Sequence, residues 1–82
     1  MSTVPNPSES AFNEIIRSNE TTSKGSLIVR DIAGHLISTS EVDMLNGINL
    51  FPINNTKLTS GTYIIEFRSL HQMPLIERHI VK

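Results

Sequence analysis

Turn-forming residues divide this chain into short segments, and their spacing limits the possible fold more than any other feature. Gly25, Gly34, Gly47 and Gly61, with neighbouring Ser, Asn and Pro residues, mark turns at intervals of about ten residues. The segments between them are rich in β-branched residues, and little of the sequence shows a helical period. This pattern predicts an all-β fold, a small antiparallel β-sandwich of about 6–7 strands.

The alternation of side chains between two faces predicts where the strands lie. A first strand is predicted at 12–17, with Phe12, Glu14 and Ile16 on one face, and a short helix is the alternative there. The other predicted strands are 27–31, 35–42, 48–53, 62–70 and 75–81, separated by a polar loop at 18–25, a turn at 45–47, a loop at 54–61 and a turn at 71–74. Pro52 lacks an N–H, so its position should lie at a sheet edge or at a strand end.

The segment Leu58–Phe67 contains the most apolar predicted strand. Ser60-Gly61 predicts a turn, after which Tyr63, Ile65 and Phe67 share one face. We expect Tyr63 to pack in the core, where its hydroxyl needs a hydrogen-bond partner.

Size and charge exclude several classes of protein. The 82 residues form one domain, divided into a start or linker at 1–10 and a folded domain at 11–82. The net charge is −1 without a basic block, so nucleic acid is not an expected partner. No apolar run reaches the roughly 20 residues that span a bilayer, and any export signal is expected upstream.

Catalytic and metal-binding patterns are not found in the sequence. The chain has no cysteine, and no serine lies in a Gly-x-Ser-x-Gly elbow. Asp31 is expected to cap its turn, and His79 to face solvent on the last strand. Asp43, Asn46 and Asn49 could be imagined as calcium ligands, although turn roles fit their spacing better. We therefore predict no catalytic residues, no metal and no cofactor.

Five segments in order resemble a known family. They are VPNPSES at 4–10, LIVRDIAGHLI at 27–37, NGINLFPI at 46–53, LTSGTYIIEF at 58–67 and RHIVK at 78–82. Together they resemble the type A C-terminal sorting domain of the type IX secretion system of Bacteroidetes. The matching positions are Pro5, Asn6, Pro7, Asp31, Gly34, Gly47, Asn49, Leu58, Gly61, Tyr63 and Lys82. His35, where the family usually has Arg or Lys, and a less basic end at 78–82 depart from the pattern.

The resemblance implies a secretion signal domain, called the label below, and not an enzyme. It implies an immunoglobulin-like sandwich, covalently fused downstream of a secreted cargo. The implied partners are the outer-membrane translocon, its shuttle proteins and a sortase-like cysteine peptidase that removes the label. The implied route passes through the periplasm to the cell surface or the medium, often with attachment of the cargo to anionic lipopolysaccharide.

Three functional hypotheses follow from the sequence. The terminal strand, with Ile80, Val81 and Lys82, is the expected recognition element, because an edge strand can add to a partner's sheet. A fibronectin-like carbohydrate-binding module is the first alternative, although one Tyr and no Trp argue against it. A small enzyme joining Asp31 or Asp43 to a His and a Ser is the second alternative.

Overall fold

The protein is an all-β domain built from five antiparallel strands, as seen in a computed structural model that describes residues 1–7, 11–54, 58–69 and 72–82. The strands are β1 (Ser2–Val4), β2 (Ala11–Asp31), β3 (Leu36–Asn54), β4 (Gly61–Ser69) and β5 (Gln72–Val81). The sheet order is β1-β2-β4-β5, and β3 pairs with the other edge of β2. The predicted all-β class, an immunoglobulin-like sandwich, is confirmed.

Two of the strands run through both halves of the domain. The N-terminal part of β2 pairs with β1 and with the end of β3, whereas its C-terminal part pairs with β4 and with the start of β3. The β2–β3 register shifts between Ser18 and Thr22. Counting each half of β2 and β3 separately explains why the sequence suggested more strands than the chain forms.

Three of the predicted connections are wrong. The polar segment 18–25, predicted as a loop, is strand within β2, because it pairs across the register shift with β3. The segment 45–47, predicted as a turn between strands, is an irregularity inside β3. Gln72–Pro74, predicted as turn, already belongs to β5, and His71 lies outside the described residues.

The predicted core faces are confirmed. Phe12 and Ile16 on β2 and Tyr63, Ile65 and Phe67 on β4 are buried. Leu27, Val29, Met44, Leu58 and Val81 complete the buried apolar cluster. Pro52 lies on β3, which pairs only with β2 among the described strands, so the predicted edge position of this proline is also confirmed.

The sheet curls until its last strand meets its first. β1 and β4 lie along the same edge of β2, and β5, beyond β4, comes back to contact β1. His79 of β5 is fully buried there, 2.7 Å from the hydroxyl of Thr3 and stacked on Phe12 at 3.6 Å between ring centroids. The prediction of a solvent-facing His79 is therefore wrong, because alternation alone does not show which face the curl encloses.

The described residues contain no helix long and apolar enough to span a membrane.

Candidate recognition site

Asp31 organises the hairpin turn between β2 and β3. Its Oδ1 accepts hydrogen bonds from the backbone N–H groups of Ala33 (3.0 Å) and His35 (2.8 Å). Its Oδ2 lies 3.1 Å from the His35 ring, and Gly34 takes φ = +93°. The backbone bond from His35 is the main cause that lowers the pKa of Asp31. The predicted turn-capping role is confirmed, and these contacts occupy both carboxylate oxygens.

Leu58, Gly61 and Tyr63 form a compact corner at the start of β4. Leu58 and Tyr63 are buried, and Gly61 takes φ = +155°, which side-chain-bearing residues rarely adopt. The Tyr63 hydroxyl donates a 2.7 Å hydrogen bond to the carbonyl of Thr59. A tyrosine that reaches back to the backbone a few residues upstream is a known corner of immunoglobulin-like sandwiches. The partner expected for the buried hydroxyl is thus found within the motif itself.

The hairpin turn and the tyrosine corner meet at one end of the sandwich. Residues from both line a shallow pocket of about 320 Å³, which Asp31, Gly61 and Tyr63 border. In the sheet, Asp31 pairs with Tyr63 and Tyr63 pairs with His79. The fold therefore places three of the sequence motifs, the turn, the corner and the terminal strand, in one continuous row.

Asn6 attaches the start of the chain to the last strand. Its side-chain amide donates to the carbonyl of Arg78 (3.2 Å) and accepts from the N–H of Ile80 (3.1 Å). A carboxamide placed this way imitates one peptide unit of a neighbouring strand, so it covers the edge of β5 that points away from β4. The Pro5-Asn6-Pro7 motif thus joins the same end of the domain as Ile80 and Val81.

Gly47 and Asn49 lie elsewhere, on the half of β3 that pairs with the start of β2. The Asn49 side chain is buried, accepts from the N–H of Leu45 (2.8 Å) and donates to the carbonyl of Leu45 (2.8 Å). The same amide reaches the carbonyls of Ile16 and Gly47, both at 3.3 Å. Asn49 therefore satisfies the backbone where β3 departs from regular pairing, with Gly47 at φ = +104°.

Sequence reasoning missed the burial of a charged side chain. Glu14 is fully buried, and neither of its carboxylate oxygens has a hydrogen-bond partner among the described residues. Burial, with a smaller contribution from Glu77, raises the pKa of Glu14 to about 8. Its place between Phe12 and Ile16 on the core face was the available signal, because alternation puts all three on one side.

The described residues show neither a metal site nor a catalytic constellation. None of their His, Asp and Glu side chains form a group of three or more that could hold a metal ion. Asp31 is engaged by its turn, and His79 is buried against Thr3 and Phe12. Instead, the described residues bring the hairpin turn, the tyrosine corner and the last strand together at one end of the domain.

The fold and these motifs define a small immunoglobulin-like domain. A comparison with known families matches residues 2–82 to the secretion system C-terminal sorting domain. The chain belongs to this family, whose members are C-terminal sorting signals of the type IX secretion system. This is a family of signals and not of enzymes, and membership implies fusion to a cargo, interaction with the secretion machinery and export. Comparisons with curated proteins and with solved structures give no match.

Proposed function

We propose that this domain directs a fused cargo from the periplasm through the outer-membrane translocon and is then removed by a sortase-like cysteine peptidase. The supporting observation is the convergence at one end of the sandwich: Asn6 and Tyr63 flank the terminal strand from opposite sides. The Asn6 motif, the tyrosine corner and β5 therefore belong to one folded surface. Shuttle proteins and the translocon bind that surface, and the domain itself catalyses no reaction.

The experiment is export of a fluorescent protein that carries a Sec signal and is fused upstream of Ser2. The host is a Bacteroidetes strain, and the control is the same strain without a working type IX system. We expect fluorescence at the surface or in the medium only in the competent strain. Fluorescence retained in the periplasm of both strains, with the domain folded, would contradict the proposal.

Removal of the label is tested in the same strains. Exported cargo should be shorter than the fusion by the length of the domain, and inactivating the sortase-like peptidase should leave the fusion intact. Cargo that moves with lipopolysaccharide on a gel is anchored, and cargo of discrete mass in the medium is released. Intact fusion in the medium of the competent strain would show that cleavage is not part of the function.

The carbohydrate-binding alternative predicts a different result. Retention of the isolated domain on insoluble polysaccharide would favour it. The buried position of Tyr63 argues against that role, because its ring is not available to stack on a sugar.

A further inference from the structure

The outer face of the C-terminal half-sheet carries a regular mixture of isoleucine and basic side chains. Directly opposed residues of antiparallel strands project to the same side. One outward row is therefore Arg30–Ile64–Arg78, and the next is Ile28–Glu66–Ile76. Ile80, opposite Thr62, extends the pattern along β5. We call these side chains the β5 face, consisting of Ile28, Arg30, Ile64, Glu66, Ile76, Arg78 and Ile80.

The β5 face exposes apolar side chains to solvent. Ile76 is 64% exposed and Ile80 is 45% exposed, although both lie on a strand whose alternate residues His79 and Val81 are buried. The strand thus presents two isoleucines to solvent and encloses a histidine. Ile28 and Ile64, on the neighbouring strands of the same face, are partly exposed, so apolar and basic side chains alternate across it.

The charges of the β5 face are mostly positive. Its one carboxylate, Glu66, is nine-tenths buried and pairs with the guanidinium of Arg68. Arg30 and Arg78 flank Ile64 on either side, and Lys82 follows Ile80 with the same outward alternation. The chain as a whole has a net charge of −1, so this basic excess is local to the face.

The backbone edge of β5 is less available to a partner protein than its outward side-chain face is. Asn6 already bonds the carbonyl of Arg78 and the N–H of Ile80, so a partner strand could add there only after displacing residues 1–7. The side chains of Ile76, Arg78 and Ile80 on the outward face of β5 are, by contrast, exposed.

We propose that the β5 face is the docking surface for a partner protein whose own surface carries carboxylates around apolar side chains. This inference rests on the proposed sorting function and names the part of the label that the secretion machinery contacts. Charge complementarity selects an acidic partner, and the isoleucines supply the buried apolar contact. A protein fits better than an anionic membrane, because the face has no Trp or Tyr and too few cations for stable membrane binding.

The test uses the full fusion and two matched double variants. Ile76→Ser with Arg78→Glu alters the β5 face, and Arg17→Glu with Ile48→Ser makes the same chemical change on the opposite half-sheet, where Arg17 and Ile48 are paired and exposed. Both variants change only outward side chains, and unchanged melting temperatures of the purified domains establish that they fold. Deleting 78–82 is a poorer test, because it also removes the buried His79 and Val81.

We expect the β5-face variant to reduce export of the fluorescent cargo about tenfold, as loss of a central interface contact does. The opposite-face variant should export normally, and Arg78→Lys should retain most of the export. Equal export by the wild type and both double variants would overturn the docking surface while leaving the sorting function intact. Failure of the wild type itself would instead overturn the sorting function.

A second experiment tests whether the partner of the β5 face is a protein or an anionic membrane. The purified domain is sedimented with phosphatidylglycerol vesicles, and we expect no more of it in the pellet than with phosphatidylcholine vesicles. Binding to the anionic vesicles that the β5-face variant loses would overturn the assignment of a protein partner.

Discussion

The ring of Phe67 lies directly on Gly25, across the pairing of β4 with β2. A Cβ atom added at position 25 would lie 2.5 Å from two ring carbons of Phe67 and 2.7 Å from the carbonyl oxygen of Arg68. Phe67 is itself fully buried in the core. The glycine is therefore required by close packing, since the space that any larger side chain needs is taken by an aromatic ring and by backbone.

Gly25→Ala should destabilise the domain by about 2–3 kcal/mol, as overpacking of a filled core does. The measurement is the free energy of unfolding in urea. Gly34→Ala is the control, because no atom lies within 4 Å of its added Cβ and only the positive φ is disfavoured, at about 1–2 kcal/mol. A smaller loss for Gly25→Ala than for Gly34→Ala would contradict the packing explanation.

Asn49→Ala should cost about 2–3 kcal/mol, because it removes the hydrogen bonds that the buried Asn49 side chain makes with the N–H and carbonyl of Leu45. Asn46→Ala, at an exposed position three residues away, is the control and should change stability by less than about 0.5 kcal/mol. Equal effects of the two substitutions on the urea midpoint would show that the Asn49 contacts do not stabilise the irregularity in β3.

The buried Glu14 should make stability depend on pH. The native state keeps its proton up to about pH 8, whereas the unfolded chain releases it near the ordinary value of 4.5. Because the native state binds more protons between these values, the free energy of unfolding should fall as pH rises through this window, by at most about 1.4 kcal/mol per pH unit.

Glu14→Gln isolates that contribution. The wild-type minus variant difference in unfolding free energy should decline from about pH 5 to about pH 8. Burial also lowers the pKa of His79, so the folded domain loses stability at pH values below the ordinary histidine pKa. This contribution is common to the wild type and the variant, so it cancels in the difference. Glu41→Gln, at an exposed position, is the control. A pH-independent difference for Glu14→Gln would show that Glu14 is ionised in the folded domain.

The two hydrogen bonds of Asn6 are separable by substitution. Asn6→Asp keeps an acceptor for the N–H of Ile80, whereas Asn6→Ala removes both bonds to β5. Amide hydrogen exchange at Ile80 should therefore be faster in Asn6→Ala than in Asn6→Asp, by about fivefold for a bond worth roughly 1 kcal/mol. Protection of Ile80 that is unchanged in Asn6→Ala would show that the motif does not cover the edge.

The alternation of side chains and the turn residues correctly predicted those features that depend only on residues close together in sequence. The faces of Phe12 and Ile16 and of Tyr63, Ile65 and Phe67 follow from alternation, and the turn at Asp31 follows from side-chain chemistry. The family and its sorting function also followed from the order of motifs. These features need no knowledge of which strands meet.

The errors concern contacts between distant parts of the chain. The polar segment 18–25 is held as strand by pairing with β3, which its composition does not indicate. His79 is buried because the sheet curls β5 against Thr3 and Phe12, more than sixty residues away. The side-chain amide of Asn6, which bonds the backbone of β5, likewise has no local signature.

We expect Asn6 to carry part of any mechanical tension applied to the start of the chain. A cargo that pulls on the start of the chain loads β1 and then Asn6, whose two hydrogen bonds lie on β5. Tension that peels residues 1–7 away uncovers the carbonyl of Arg78 and the N–H of Ile80, while β4 still holds the other edge of β5. We therefore expect this edge of β5 to become free for strand pairing only when residues 1–7 are pulled away from it.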